Sequence, residues 1–428
     1  MAEAEGCSRS YSLKAEHELR VEVTDGRHVY ISLREGQAEV FGSELILGEK
    51  LEMRSQKFAV YTWHGCRIEL STDAGALEDV TDVVYEADET PMVAYSGVHG
   101  VLEERRHSAN QASGQGPRTI VVGPVDAGKS TLCRILLNYG VRSGWAPTMV
   151  DLDIGQGSIT CPGTIGATPI EAQVDIEEGL PVEVPLVYFY GHASPAENPE
   201  MYKFLVDRLA SLLDKRAQSN AAVRAAGMVI NTMGWIDGLG YTLLLHSIEA
   251  LKADVVLVVG QDKLWSQLDK HYRTNKDIQV VKLTKSGGVV ARPPALRKQA
   301  RVNRVKEYFY GVRGDLSPQS QTVNMSELRV YRAGGGPRAP SSALPIGSEP
   351  VADPLRLAPI NINSDLLHSV LAVSHATEPE QLLSVNVAGF LFVTTVDVDR
   401  GTLTYLAPCP GPLPGKLLLA GSLKVFFE

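Results

Sequence analysis

Residues 119–131 read Thr-Ile-Val-Val-Gly-Pro-Val-Asp-Ala-Gly-Lys-Ser-Thr, and this stretch decides the fold. Gly123 to Ser130 fits G-x-x-x-x-G-K-[ST]. Glycines let the backbone curl so that N–H groups point inward at phosphate oxygens, the lysine reaches the β- and γ-phosphates, and the Ser130 hydroxyl is placed to ligate Mg²⁺. An apolar strand precedes the motif at 119–122 and an apolar helix follows from Thr131, so a helix N-terminus adds its partial positive charge to the same anion site. The contributors are Gly123, Asp126, Ala127, Gly128, Lys129, Ser130 and Thr131.

Outward from this motif, 148–153, 185–190, 227–232, 254–259 and Gln279–Leu283 are short apolar runs. Most are separated by helix-length segments such as 129–139, 201–216 and 241–251. That alternation predicts an α/β domain whose parallel sheet is covered on both faces. Before it, Leu19, Val21 and Val23 alternate with Arg20 and Glu22, and Val29, Ile31 and Leu33 alternate after an Asp25-Gly26 turn. These short strands predict an N-terminal all-β sandwich. The polar stretch 107–118 reads as a connection. After a Gly/Pro/Ser-rich stretch from 333 to 358, Leu366, Leu367, Val370, Leu371 and Val373 suggest a short helix, and 389–398 with 402–406 flank Asp399-Arg400-Gly401 as a hairpin. The expected organisation is a β-sandwich over 1–106, a P-loop domain over 107–318, and a small α/β or mostly β domain over 319–428.

Composition narrows the function classes. The chain has 428 residues, 44% hydrophobic and 21% charged, which is ordinary globular usage. There is no run of about 18 apolar residues, so no membrane association is expected. An apolar leader is absent from the first residues, which predicts a protein kept inside the cell. The five cysteines form no C-x-x-C pair, so free thiols are expected. A net charge of −9 argues against a wide basic face that coats DNA, while leaving room for a short nucleic-acid end held by a local basic cluster.

Asp151 and Asp153 end the apolar run after the P-loop helix. A spacing of two on a strand places both on one face, towards the nucleotide crevice. Acids there hold Mg²⁺ or its waters, or take a proton from an attacking hydroxyl. A guanine-reading N-K-x-D is absent, since Asn275-Lys276-Asp277 lacks the intervening residue, and no D-x-x-G follows the second strand. Both absences count against a GTPase. Between 292 and 306 lie Arg292, Arg297, Lys298, Arg301, Arg304 and Lys306 with no acid among them. On a helix Arg297, Arg301 and Arg304 share one face, suited to a lid over a γ-phosphate; a solvated basic face is the alternative. Trp235, beside Gly234 past the apolar run 227–232, is placed either to stack on a base or to join the core.

With these residues in view the chain resembles the eukaryotic polynucleotide 5′-hydroxyl kinases of the Clp type, associated with pre-mRNA 3′-end cleavage and tRNA splicing. The likeness runs through AEVFGSEL at 38–45, FAVYTWHGC at 58–66, GPVDAGKST at 123–131, LDIGQGS at 152–158, VINTMGW at 229–235, KSGGVV at 285–290 and EYFYG at 307–311. The resemblance implies ATP and Mg²⁺ as cofactors and transfer of the γ-phosphoryl to the 5′-hydroxyl of RNA. It implies nucleotide contacts from Glu18 and Lys57, a general base at Asp153, lid arginines at Arg292 and Arg297 followed by Arg301, and an RNA clasp at Trp235 with Gln156 on the same side. A metal role falls to Ser130 and Asp151. Ala193 stands where a hydroxyl residue is expected. The implied partners are RNA with a 5′-hydroxyl end, pre-mRNA cleavage factor subunits and the tRNA splicing endonuclease, in the nucleus. The same fold also serves a scaffold that keeps ATP bound without transferring it, so the fold leaves both readings open.

Overall fold

The computed structural model describes residues 6–73, 75–180, 185–334 and 353–427. Most of the Gly/Pro/Ser-rich stretch expected at 333–358 lies outside the described residues.

The N-terminal unit is a sandwich of two antiparallel sheets. One, in the order β1 (Ser8–Leu13), β8 (Cys66–Ser71), β3 (His28–Gly36), β6 (Lys50–Arg54), faces a second in the order β5 (Ser43–Glu44), β4 (Glu39–Val40), β7 (Lys57–Tyr61), β2 (Glu18–Val23), β9 (Thr81–Ala87). Alternating residues Leu19, Val21, Ile31, Val60, Ile68 and Leu70 fill the space between the sheets. On β2 the intervening residues depart from the expected polar exterior: Glu18 and Arg20 are buried. The outer face of β2 is covered by the central domain, and the two opposite charges satisfy each other there, Arg20 Nε donating to Glu18 Oε1 at 2.5 Å.

The stretch expected to connect the domains, 107–118, begins as the last turns of a helix, through residue 111, and only 112–117 connect. Helix α1 (Met92–Gln111) runs through residue 106 and packs on α2 (Lys129–Arg142) and α4 (Ala221–Ala226). The central sheet has the order β13 (Leu186–Phe189), β12 (Thr164–Pro169), β11 (Thr148–Asp151), β14 (Met228–Asn231), β10 (Arg118–Val122), β15 (Val255–Val259), β16 (Gln279–Leu283). The pairs from β11 to β16 are parallel. The expected parallel sheet carries an antiparallel edge, where β12 is antiparallel to both β11 and β13. Helices α3 (Pro199–Ser219), α5 (Leu239–Ala250) and α6 (Asp262–Tyr272) complete the alternation, and α7 (Pro294–Tyr310) follows the last strand. Asn198 caps α3 by accepting the Met201 N–H at 3.1 Å, with Pro199 at the first helical position.

The C-terminal unit is a sheet in the order β17 (Gln319–Asn324), β22 (Thr402–Ala407), β21 (Val387–Asp397), β20 (Ser369–Ser374), β23 (Leu417–Lys424), β18 (Arg329–Ala333), β19 (Leu357–Ile360). The hairpin around Asp399-Arg400-Gly401 forms as expected. The helix expected over 366–373 does not: a 3₁₀ turn at Ser364–Leu366 leads into β20, so the mostly β reading holds among the described residues. Every residue of β20 is buried. Leu371 and Val373 face the unit's own core, and Val370 and Ala372 join the core of the central domain. A strand covered on both faces is a continuous apolar run, which periodicity cannot separate from a buried helix.

Candidate functional site

The P-loop joins the C-terminal end of β10 to α2. Gly128 has φ 88°, and a side chain there would press on Val289 of the 285–290 loop. No side chain caps the α2 N-terminus, which leaves its first N–H groups for an anion. Gly123 and Ala127 are buried beneath the loop, while Ser130 presents an exposed hydroxyl and Thr131 is half-buried behind it. Lys129 is 7% exposed, and its Nζ donates to the Pro124 carbonyl at 2.9 Å. Burial pushes its pKa down, opposed by the field of Asp153.

Asp126 does something the motif does not announce. Its carboxylate accepts the Arg292 backbone N–H at 2.8 Å, Arg292 Nε at 3.1 Å and Arg297 Nη1 at 3.3 Å. Burial works against its charge, yet these donors and the two guanidinium charges hold it below the usual carboxylate range. A carboxylate repels phosphate, so the side chain serves the arginines and only the backbone N–H of Asp126 is left for a nucleotide. The basic segment is thus tied across the P-loop at the start of α7. Further along that helix, Arg301 is half-buried. Burial and then the neighbouring charge of Arg297 lower its pKa, and Asp153 opposes them. Arg304 Nη2 reaches the Ser158 carbonyl at 2.5 Å.

Asp151 and Asp153 are not on one strand face. β11 ends at Asp151, and Asp153 lies in the loop beyond. Asp151 Oδ1 accepts from the Asp153 N–H at 3.0 Å and Asn231 Nδ2 at 3.1 Å, while Oδ2 accepts from the Ser158 N–H at 2.5 Å. Expected as a metal contact, Asp151 is 3% exposed with both oxygens engaged inside the protein, so it shapes the loop that carries Asp153. Asp153 Oδ1 accepts the Gly155 N–H at 2.9 Å. Burial and the charge of Asp151 raise its pKa to about 6, with Lys129 opposing. Gln156 Nε2 points to the Gly155 carbonyl at 3.1 Å and to the Arg297 carbonyl at 3.5 Å, bridging this loop to α7.

Trp235 is 36% exposed, so it is outside the core. Its loop lies directly on the P-loop: a Cβ on Gly234 would come within 2.5 Å of the Val125 nitrogen. The indole rests against Gly240 at the start of α5. On the sandwich side, Glu18 Oε2 accepts from Thr90 Oγ1 at 3.0 Å, and Arg20 donates to Tyr85 and to the Glu89 carbonyl. Arg20 also packs against Gly287 and Gly288, in the loop whose Val289 touches Gly128. Glu18 is thereby linked to the P-loop through Arg20 and the 285–290 loop. Lys57 pairs with Glu22 across the β2–β7 ladder, four register positions from Glu18 on the same face.

A protein-family model described as the mRNA cleavage and polyadenylation factor CLP1 P-loop matches residues 123–311. The chain belongs to the Clp1 family. Two further models of the family match its ends: the N-terminal β-sandwich domain of polyadenylation factor at 12–109 and the pre-mRNA cleavage complex II protein Clp1 at 316–426. Among relatives, a protein CLP1 homolog of Arabidopsis thaliana is 53% identical over 424 residues, covering 97% of this chain and 94% of that one. A polyribonucleotide 5′-hydroxyl-kinase Clp1 of Homo sapiens is 42% identical over 419 residues, covering 97% and 96%. The fold is that of the wild-type Clp1p–Pcf11p (454–563) complex structure, with a TM-score of 0.84, 21% identity and 100% of both chains covered.

Three parts of this site were given no role from sequence, although two of them lie in the stretches that carry the resemblance. Arg20 looked like the solvent side of an alternating strand. Asn231, at the end of β14, orients Asp151. The 285–290 loop connects sandwich and P-loop. The double glycine in Lys-Ser-Gly-Gly-Val-Val was the available signal, since adjacent glycines mark close approach of another group.

Proposed function

We propose that this chain is an ATP-dependent polyribonucleotide 5′-hydroxyl kinase. The observation that carries the reading is the coupling of Lys129, Asp153 and Arg301 beside one P-loop: a phosphate-binding cation, a carboxylate poised near neutrality and an arginine on the same helix as Arg292 and Arg297. Burial and the charge of Asp151 raise this carboxylate to about 6 beside the P-loop lysine, which supports transfer over a scaffold that only holds ATP. Curated relatives 42% identical over 97% of the chain carry this activity in their names.

In this reading the backbone N–H groups of 126–131 and the α2 N-terminus hold the β- and γ-phosphates of ATP, with Lys129 between them. Glu18 and Lys57 face the base. The exposed Ser130 hydroxyl fits a Mg²⁺ contact, since Mg²⁺ takes one or two protein ligands beside substrate phosphates; when bound, the ion neutralises charge on those oxygens. Asp153 accepts the proton of the RNA 5′-hydroxyl as its oxygen bonds to the γ-phosphorus and the bond to the bridging oxygen of ADP breaks. Arg292, Arg297 and Arg301 stabilise the charge that spreads over the transferring group. Trp235 stacks on the terminal base and Gln156 lies on the acceptor side. A cleavage-factor subunit of the Pcf11 kind, the tRNA splicing endonuclease and a nuclear site of action are the partners and setting proposed with it.

The test is transfer of labelled γ-phosphate from ATP to a 5′-hydroxyl oligoribonucleotide, with Lys129→Ala as background. Transfer far above that background is expected. Stoichiometric ATP binding with no transfer above it would leave the scaffold reading standing.

A further inference from the structure

A groove of about 260 Å³ lies on the side of α7 turned away from the P-loop, between that helix and the end of β23. Lys298, Val302, Lys306, Lys424, Phe426 and Phe427 line it, with no Asp or Glu among its lining residues. Its three lysines are exposed and have no carboxylate partner among the described residues, whereas Arg54, Lys252 and Lys282 elsewhere are paired with acids. In a chain of net charge −9, an acid-free groove with three free ammonium groups is a local reversal of sign. Beside them the Phe426 ring is 55% exposed.

The groove is joined to the acceptor side of the site by β23. The Gly191 carbonyl accepts the N–H groups of Ser422 at 2.9 Å and Leu423 at 3.1 Å, and a Cβ on Gly421 would overlap Gly191. This contact fastens the strand to the 191–195 loop, whose Ala193 carbonyl lies beside Gly155, two residues from Asp153. From there Ser422, Lys424 and Phe426 are exposed while Leu423 and Val425 are buried. One face of the strand therefore forms a polar, basic and then aromatic stripe about 13 Å long leading from the acceptor loop to the groove.

We propose that this stripe and groove carry the single-stranded RNA behind the reacting 5′ end, its phosphates on Lys424, Lys298 and Lys306 and a base stacked on Phe426. Cations along a groove with an interleaved aromatic ring suit single-stranded nucleic acid without sequence preference. The proposal rests on the RNA-kinase reading but is separable from it, because α7 presents Arg297, Arg301 and Arg304 on its other face.

The experiment measures binding of a labelled 5′-hydroxyl RNA of about 12 nucleotides and of a dinucleotide to the full chain, alongside phosphorylation of both. Lys298→Gln/Lys306→Gln/Lys424→Gln and, separately, Phe426→Ala are compared with the parent. The triple variant is expected to bind the long RNA on the order of tenfold more weakly, with the slope of log affinity against log salt reduced by about 2. Phe426→Ala is expected to lose roughly 5- to 150-fold. Dinucleotide phosphorylation is expected to be unchanged in both. Long-RNA affinity and salt slope equal to the parent in both variants would overturn the proposal. So would loss of a Pcf11-type segment with RNA binding intact, which would make the groove a protein dock. Failure of the parent to phosphorylate either RNA would refute the kinase reading alone, since binding still reads the groove.

Discussion

Asp126 and Arg292 form the latch between P-loop and lid: one carboxylate accepts both the backbone N–H and the side-chain Nε of the arginine, at 2.8 and 3.1 Å. The depressed pKa of Asp126 means that its stabilising effect is present above the unfolded carboxylate pKa and is lost as pH falls through the lower folded value. Asp126→Asn keeps the shape and removes the charge. Turnover is expected to fall on the order of tenfold, the loss of one positioned charge contact. ATP affinity by calorimetry is expected to hold or improve, because a negative charge has left the phosphate site. Weaker ATP binding with normal turnover would make Asp126 a nucleotide ligand instead.

Asp153 ties activity and stability to pH in opposite directions. The ionised base is lost as pH falls through about 6, so turnover is expected to drop along an acid limb near that value. Its folded pKa lies above the ordinary 3.8, so the native state binds the proton more tightly, and stability declines as pH rises from about 4 to 6. Asp153→Asn is expected to cost on the order of 10²–10⁴ in turnover. It is also expected to raise the melting temperature at pH 8 by the equivalent of at most about 3 kcal/mol, with little change at pH 4. A variant that melts earlier at pH 8 would contradict the account of a carboxylate ionised against burial and the charge of Asp151.

Trp235 is held by its loop and Gly240 rather than by the core, so Trp235→Ala is expected to melt close to the parent. KM for RNA is expected to rise roughly 5- to 150-fold, equally for all four terminal bases, because stacking is tolerant of sequence. Loss of turnover with unchanged RNA dependence would return the indole to a structural role.

Arg20 balances the buried charge of Glu18 between sandwich and P-loop. Arg20→Met leaves that carboxylate buried without its partner, and a loss of about 3–5 kcal/mol is expected in chemical denaturation. The double variant Glu18→Gln/Arg20→Met is expected to recover much of the stability while still binding ATP more weakly than the parent. Recovery of both would reduce Glu18 to a structural ion pair.

The P-loop, its flanking strand and helix, the succession of apolar strands and the sandwich were legible in the sequence, because each rests on local periodicity or on residues adjacent in the chain. Gly123 to Thr131 announces its chemistry by spacing alone, and the basic face of α7 was readable because Arg297, Arg301 and Arg304 repeat at helical intervals. β20 was misread as a helix because a strand buried on both faces has no alternation to read. The boundary placed at 106 fell inside α1, since a helix with polar residues on its open side looks like a linker.

What only the tertiary structure decided is which charges meet. Asp126 to Arg292, Asp151 to Asn231, and Arg20 to the 285–290 loop each join residues that are distant in the chain or lie on different elements. Chain pattern reports which face of an element is apolar, through the hydrophobic effect acting along one strand or helix. It does not report the partner of a buried polar group, because that depends on which loops the packed sheets bring together and on how far burial shifts each charge. Asp153 is the clearest case: its residue type and place after the strand were written in the sequence, and its raised pKa came from burial and the charge of Asp151, against the opposing charge of Lys129.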